Sequence, residues 1–410
     1  MNMDYNALLH GCCELGCRLL SCGGEIYRVE DTVRRVCAAY GVDSEVFAIP
    51  NCLIVSVTDP QGRIYTRMRR AEVQSTNIEA LEQYNALSRR VCANPPQDPR
   101  EIVSCAQRVG RQVACYPIAV QLLGYFLGAF FFGFFFSGGW VEAVAAGLSG
   151  LTAGACVLLL SHTRSNFFIN TMLAGFVLAF TAYGLLALRV PVNIQVVITG
   201  SIMTLVPGLV FTNFMSNLLT GEIVAGLSTF VRAVLTAGAI ALGTGAAIAV
   251  CEGMWNLTAG NADLIAYSPV LCCVLSFFAC LGFCFPYNVQ GLGAILCCLG
   301  GALGWAVYLS GSAAGLGVYV PYLLASMVVA VYSELMARVR KCPATSYLLI
   351  SYFPLVPGFT IYQAMDYGIR GNISAFIETF LRTFGIAGCI ALGTLFISTL
   401  LRIAQRRRVR

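Results

Sequence analysis

The sequence predicts a mainly α-helical integral membrane protein: about ten transmembrane helices in two inverted five-helix repeats, with a small N-terminal cytoplasmic α/β head. Three observations carry that expectation. The 410 residues are 58% hydrophobic and only 11% charged, with a mean hydropathy of +0.74, whereas a soluble domain carries about 25% charge. Charge is also segregated. Residues 1–116 hold 13 Lys/Arg and 13 Asp/Glu, while residues 117–410 hold the other 13 cations and 7 acids. Finally, the tetrapeptide LVPG stands at 205–208 and again at 355–358, each time inside an apolar run. These features divide the chain into a soluble head over 1–116, a first membrane repeat over 117–251 and a second over 264–405.

The head reads as alternating helix and strand signals. Residues 4–20 place Leu8, Leu9, Cys12, Leu15 and Leu19 at helical spacing, and Gly23-Gly24 ends that helix. Residues 25–41 repeat the pattern with Ile26, Val29, Val33 and Val36, and Gly41 stands where a C′ glycine belongs. Glu30–Arg34 and Asp31–Arg35 are spaced as i,i+4 pairs on the exposed face of this second helix. Segments 45–49, 52–58 and 63–69 are rich in β formers, and DPQG joins the last two as a turn. Thr76 to Glu79 reads as a capping box opening a third helix to about Val91, and NPPQDP breaks the chain before a fourth. Arg63, Arg67 and Arg69 form a basic stripe that an anion would fit, although a solvated hairpin face is the commoner meaning of such a stripe. No P-loop, GxSxG or GxGxxG is present, so nothing points to catalysis.

Covering a hydrocarbon core takes about 20 apolar residues. Ten stretches meet this, near 117–137, 140–160, 166–187, 193–215, 228–250, 264–285, 290–309, 316–337, 345–366 and 382–402. With the head inside, the inner connections and tail carry ten cations, against Arg189, Arg370 and Arg382 outside. The positive-inside rule therefore puts both termini in the cytoplasm of a multi-pass inner-membrane protein. The basic tail QRRRVR suits anionic lipid, and no nucleic-acid partner is expected. The 19 cysteines form no CxxC pair and the two histidines, His10 and His162, form no cluster, so no metal and no cofactor is expected. The N-terminus lacks a basic region followed by an apolar run, so it does not read as a signal peptide.

The LVPG pair extends into a longer match. Residues 205–247 and 355–397 align without a gap at an offset of 150, with 18 of 43 positions identical, among them Gly221/Gly371, Arg232/Arg382 and an ALGT run near the end. Each repeat holds five spans, an odd number, so the second must lie inverted relative to the first. Inverted repeats with interrupted helices are a pattern of secondary transporters. Proline removes an N–H and strains the preceding turn, and broken backbone at membrane depth is tolerated only inside protein or beside a wet cavity. The candidate substrate site is therefore Ser201, Thr204, Pro207, Gly208, Thr212 and Asn213 in the first half, with Ser351, Pro357, Gly358, Thr360 and Gln363 in the second. Glu334 is the candidate acid for proton coupling. A surface ion pair with Arg338, four residues on, is its competing reading.

At this point the residues resemble a known family. The stretch LLSCGGEIYRVEDTVRRVCAAYGVDSEVFAIPNCLIVSV, followed by TRMRR and NALSRR, resembles the N-terminal module of the threonine/serine exporter family. PATSYLLISYFPLVPGFTIYQAM resembles the C-terminal module that split members carry as a separate subunit. The resemblance covers nearly the whole chain. It implies export of threonine and serine driven by the proton motive force. The split members are similar to succinate exporters, which makes a dicarboxylate the alternative substrate. A membrane-bound hydrolase with the head as catalytic unit and a passive channel are further alternatives. The expected partners are a small-molecule substrate (an amino acid or small carboxylate) and the lipid bilayer, and the sequence also allows a homo-oligomer.

Overall fold

The computed structural model describes residues 3–71, 76–161, 166–206, 208–255 and 265–409. The N-terminal elements are α1 (Tyr5–Ser21), α2 (Ile26–Ala39), β1 (Ser44–Ile49), β2 (Cys52–Thr58), β3 (Ile64–Arg70), α3 (Ile78–Ala93) and α4 (Arg100–Gln112). The strands form an antiparallel sheet of order β1-β2-β3, with Phe47 opposite Ile54 and Val55 opposite Arg67. Leu53, Val55 and Val57 alternate inward along β2 and meet Leu8, Leu15, Val29 and Val33 from α1 and α2 in a core that also takes in Ala225. The burial alternates because successive strand side chains point to opposite faces.

Three head expectations change in detail. Gly41 does close α2, with φ +71° and the Val42 N–H bonded to the Cys37 carbonyl at 3.2 Å. Both i,i+4 pairs of α2 form, but Glu30 is buried rather than exposed. Its Oε1 accepts the Ala48 N–H at 2.8 Å, so it satisfies a β1 edge donor as well as Arg34. The cap of α3 shifts by one residue to Asn77, whose Oδ1 accepts from the Ala80 N–H at 3.0 Å. Asn77 wins over Thr76 because the next two donors are already used elsewhere. Ile78 and Glu79 donate to the carbonyls of Tyr287 and Asn288 at 3.0 and 3.3 Å. The basic stripe is also largely neutralised, since Arg63 pairs with Asp59 and Arg69 with Glu14.

From residue 118 the chain is helical. It runs through α5 (Ile118–Phe135), α6 (Trp140–Ser161), α7 (Phe167–Ala187), α8 (Ile194–Ile202), α9 (Gly208–Leu219) and α10 (Ile223–Trp255). It continues through α11 (Pro269–Cys284), α12 (Leu292–Ala313), α13 (Val320–Arg340), α14 (Thr345–Ser351), α15 (Gly358–Ile369) and α16 (Ile373–Val409). Among the described residues seven helices are long and apolar enough to cross a membrane: α5, α6, α7, α10, α12, α13 and α16. This is a multi-pass membrane protein. The remaining stretches expected to span are not single long helices. One is the shorter apolar α11, and two are the pairs α8/α9 and α14/α15.

The packing places corresponding helices in corresponding neighbourhoods. The helix α10 packs on α7, α9 and α15, and α16 packs on α13, α15 and α9. The helices α5 and α11 pack on each other through glycine. A Cβ added at Gly282 would stand 2.3 Å from the Gly128 nitrogen, and one at Gly124 would stand 2.7 Å from the Gly282 carbonyl oxygen. Gly124 and Gly128 form a GxxxG step, which lets two apolar helices approach at backbone distance. The turns after α9 and α15 are built alike. Gly221 and Gly371 have φ of +89° and +76°, and the next residue's N–H returns to the carbonyl of Asn217 or Tyr367 at 2.9 Å in each case.

The N-terminal elements dock on one end of this bundle. Asn288 Nδ2 donates to Asn77 Oδ1 at 3.0 Å and to the Ala114 carbonyl at 2.9 Å, and Arg89 donates to the Lys341 carbonyl at 2.8 Å. The junction is therefore held by directional polar bonds as well as apolar contact.

Candidate functional site

Helix α8 is capped by Asn193, whose Oδ1 accepts from the Gln195 and Val196 N–H groups at 3.1 and 3.4 Å. Nine helical residues later, at Ile202, regular bonding stops. Leu205 and Val206 both bond the Ile202 carbonyl, at 2.9 and 3.0 Å. The second break repeats this 150 residues on, with Leu355 and Val356 both bonded to the Tyr352 carbonyl at 2.9 Å. Pro357 then caps α15 with φ −76° and ψ 50°, and Gly358 N bonds the Val356 carbonyl at 2.7 Å. A proline has no N–H to return, and among the described residues no backbone N–H bonds the Phe353 carbonyl. The same local sequence thus gives the same pair of bonds, to the Ile202 carbonyl in one half and to the Tyr352 carbonyl in the other.

These two breaks meet. A Cβ on Gly358 would lie 3.2 Å from Val206 Cγ1 and 3.5 Å from Met203 Sδ and Cε. The walls around the crossing are apolar and aromatic: Phe353 stacks on Phe283 with centroids 3.9 Å apart, and Phe359 lies 5.9 Å from Phe136. Glycine at 358 is what lets the second turn seat directly on the first.

Residues 10–251 match a family described as "Putative threonine/serine exporter", and residues 272–400 match one described as "Threonine/Serine exporter, ThrE". The chain belongs to the threonine/serine exporter family. It is also similar to a protein of Klebsiella aerogenes named "Probable succinate transporter subunit YjjP", with 26% identity over 257 residues that cover 62% of this chain and 96% of that one. No solved structure matches.

Within this exporter the expected site residues divide. Thr204 and Thr360 sit at the breaks, bonding the Ser201 and Pro357 carbonyls at 2.7 and 3.0 Å. Gly358 is at the crossing itself. Ser201 is fully buried and back-bonded to the Val197 carbonyl at 2.7 Å, and Ser351 turns away to the Cys297 carbonyl on α12 at 3.0 Å. Thr212 is buried, Asn213 is exposed, and Gln363 donates to Tyr367 Oη at 3.3 Å. Gly208 opens α9, and Pro207 lies outside the described residues. Glu334 is not at the crossing. It lies near the end of α13 and makes no ion pair with Arg338 among the described residues. Instead it lines a cavity between the bundle and the N-terminal elements.

Sequence reasoning missed two tyrosines. Tyr352 Oη lies 2.6 Å from Thr394 Oγ1, and Tyr362 Oη lies 3.3 Å from Thr244 Oγ1. Thr244 and Thr394 are equivalent positions of the repeat, inside the matched ALGT run. One clamps the residue that begins the second break, and the other clamps the helix that leaves it. The signal was in the aligned sequence, because a threonine retained in both copies of a membrane helix must bond something.

Proposed function

We propose that this exporter is a secondary transporter that moves threonine and serine out across the cytoplasmic membrane, driven by the proton motive force. The observation that carries the reading is the contact of Gly358 with Met203 and Val206, where two interrupted helices cross. Interrupted helices paired between repeats are the sites around which transporters alternate access. The reading takes the chain as ten crossings in two inverted repeats, 117–251 and 264–405, with the head over 1–116 and both termini in the cytoplasm. The paired packing of α9 on α16 and α15 on α10 supports it. Thr204, Thr360, Pro357 and Gly358 are the residues we place against the substrate.

Succinate export is the second reading, favoured by the name of the Klebsiella relative. Cells loaded with a threonine-containing dipeptide separate the two. Expression of the chain should speed threonine efflux, the speed-up should collapse with a protonophore, and succinate efflux measured in parallel should not change. No change in either solute, with the protein verified in the membrane, overturns the transporter reading. A succinate response alone moves the substrate to the second reading.

A further inference from the structure

A cavity of about 1350 Å³ separates the head from the bundle. Its head wall is α2 and α3. Its bundle wall is the end of α13, the 343–345 segment that leads into α14, and Glu222 in the turn after α9. It therefore stands at the head-side ends of both broken hairpins. Ligand cavities in proteins commonly run from about 300 to 1,000 Å³, so the space is ample for a small solute and its water.

The charge lining it falls into two groups. Arg28 with Glu25, Arg34 with Glu30, and Arg35 with Asp31 neutralise each other at 2.6, 2.8 and 2.9 Å. The other five charged residues have no opposite charge within 4.0 Å among the described residues: Arg89, Arg338, Lys341, Glu222 and Glu334. Arg89 bonds the Lys341 carbonyl at 2.8 Å, and Arg338 lies three residues before Lys341 at the end of α13, so three cationic residues line this part of the wall. Glu334 lies a further turn up α13, roughly 6 Å along the axis by the rise per residue, and Glu222 faces the cavity from the α9–α10 turn. Glu334 and Arg338 have the spacing to pair and do not.

We propose that this cavity is the receiving site for a small zwitterion, an α-amino acid, before it reaches the breaks. The proposal rests on the exporter reading and sharpens it. The carboxylate lies toward Arg338, Lys341 and Arg89, and the ammonium toward Glu334 and Glu222. Each end gains charge-assisted hydrogen bonds, about twice as strong as neutral ones. A dicarboxylate fits worse, because its second carboxylate meets Glu334 and Glu222 and like charge disfavours it.

The test is equilibrium binding of labelled L-threonine and succinate to the purified full-length chain in nanodiscs, beside transport by the same preparations in liposomes. Arg338→Gln with Lys341→Asn should weaken threonine binding by about tenfold or more, asparagine tolerating the φ of +56° at position 341. The charge-conserving pair Arg338→Lys with Lys341→Arg should restore it, which separates lost charge from misfolding. Glu334→Gln should weaken threonine at least fivefold and leave succinate unchanged or tighter. Wild-type threonine binding that survives both charge-removing variants, or a folded chain that binds neither solute, overturns the proposal. Binding that follows the expected order, with no transport by the wild type, instead overturns the exporter reading and leaves the receiving site standing.

Discussion

Replacing Tyr352 by Phe removes one hydroxyl from the start of the second break and leaves the ring in place. That hydroxyl is buried, 2.6 Å from Thr394 Oγ1 and 3.3 Å from the Ser326 carbonyl. Thr394 donates to the Ile390 carbonyl at 2.7 Å, and the tyrosine's one proton goes to Thr394, its much shorter contact, rather than to the Ser326 carbonyl. After the change the threonine keeps its own bond and no charged group is stranded, so the loss is that of one good buried hydrogen bond, about 1–1.5 kcal/mol. Tyr362→Phe loses a longer contact, 3.3 Å to Thr244, which itself donates to Ile240 and Ala241. We expect about 0.5 kcal/mol there. The assay is thermal unfolding of the purified chain in one detergent, with threonine efflux measured in parallel. Because 1.4 kcal/mol is a factor of ten in a population, Tyr352→Phe should lower efflux by about five- to tenfold if the clamp sets the break. Combined with Thr394→Val, the two changes should be non-additive by at least about 0.5 kcal/mol. Equal costs for the two tyrosines, or additive behaviour of Tyr352 with Thr394, would refute the clamp.

Gly282→Ala places a Cβ 2.3 Å from the backbone of α5; the helices must separate, at a cost of about 1–3 kcal/mol, seen as a lower unfolding temperature. Glu14, buried between the half-exposed Arg18 and Arg69, should cost about 1.5–3 kcal/mol as Glu14→Ala, the loss of charge-assisted hydrogen bonds whose arginine partners water can still reach; an unfolding midpoint within about 0.5 kcal/mol of wild type would count against its bridging role. Burial raises the Glu82 carboxyl above the usual carboxylate range, despite Arg340 and Ser346 nearby. The folded state then holds this proton where the unfolded chain has lost it, so Glu82 contributes stability that is full below the ordinary glutamate pKa and falls as pH rises through its folded value. Unfolding midpoints followed upward from pH 4 should decline in that window, and Glu82→Gln should flatten the decline.

How much was legible in the sequence depended on how local the cause is. The turn glycines Gly221 and Gly371, the C′ glycine Gly41 and the interruptions before Pro357 were legible, because each follows from backbone chemistry within about four residues. The repeat was legible because it is a comparison of the chain with itself. The cap of α3 was misplaced by one residue because two of its donors bond carbonyls at 287 and 288, more than 200 residues away. The stripe of arginines on β3 looked free because Glu14, which holds Arg69, comes from α1.

By itself, then, the sequence determined that this is a membrane protein with two matched interruptions and a charged N-terminal portion. Only the tertiary structure decided that the interruptions touch, that Tyr352 and Tyr362 are clamped by equivalent threonines, and that Glu334 leaves Arg338 to face a cavity. The reason is physical. A membrane helix apolar on every side carries no stripe to say which face meets which neighbour. Facing is set instead by where small residues such as Gly128, Gly282 and Gly358 let backbones approach, and that requires both partners in place.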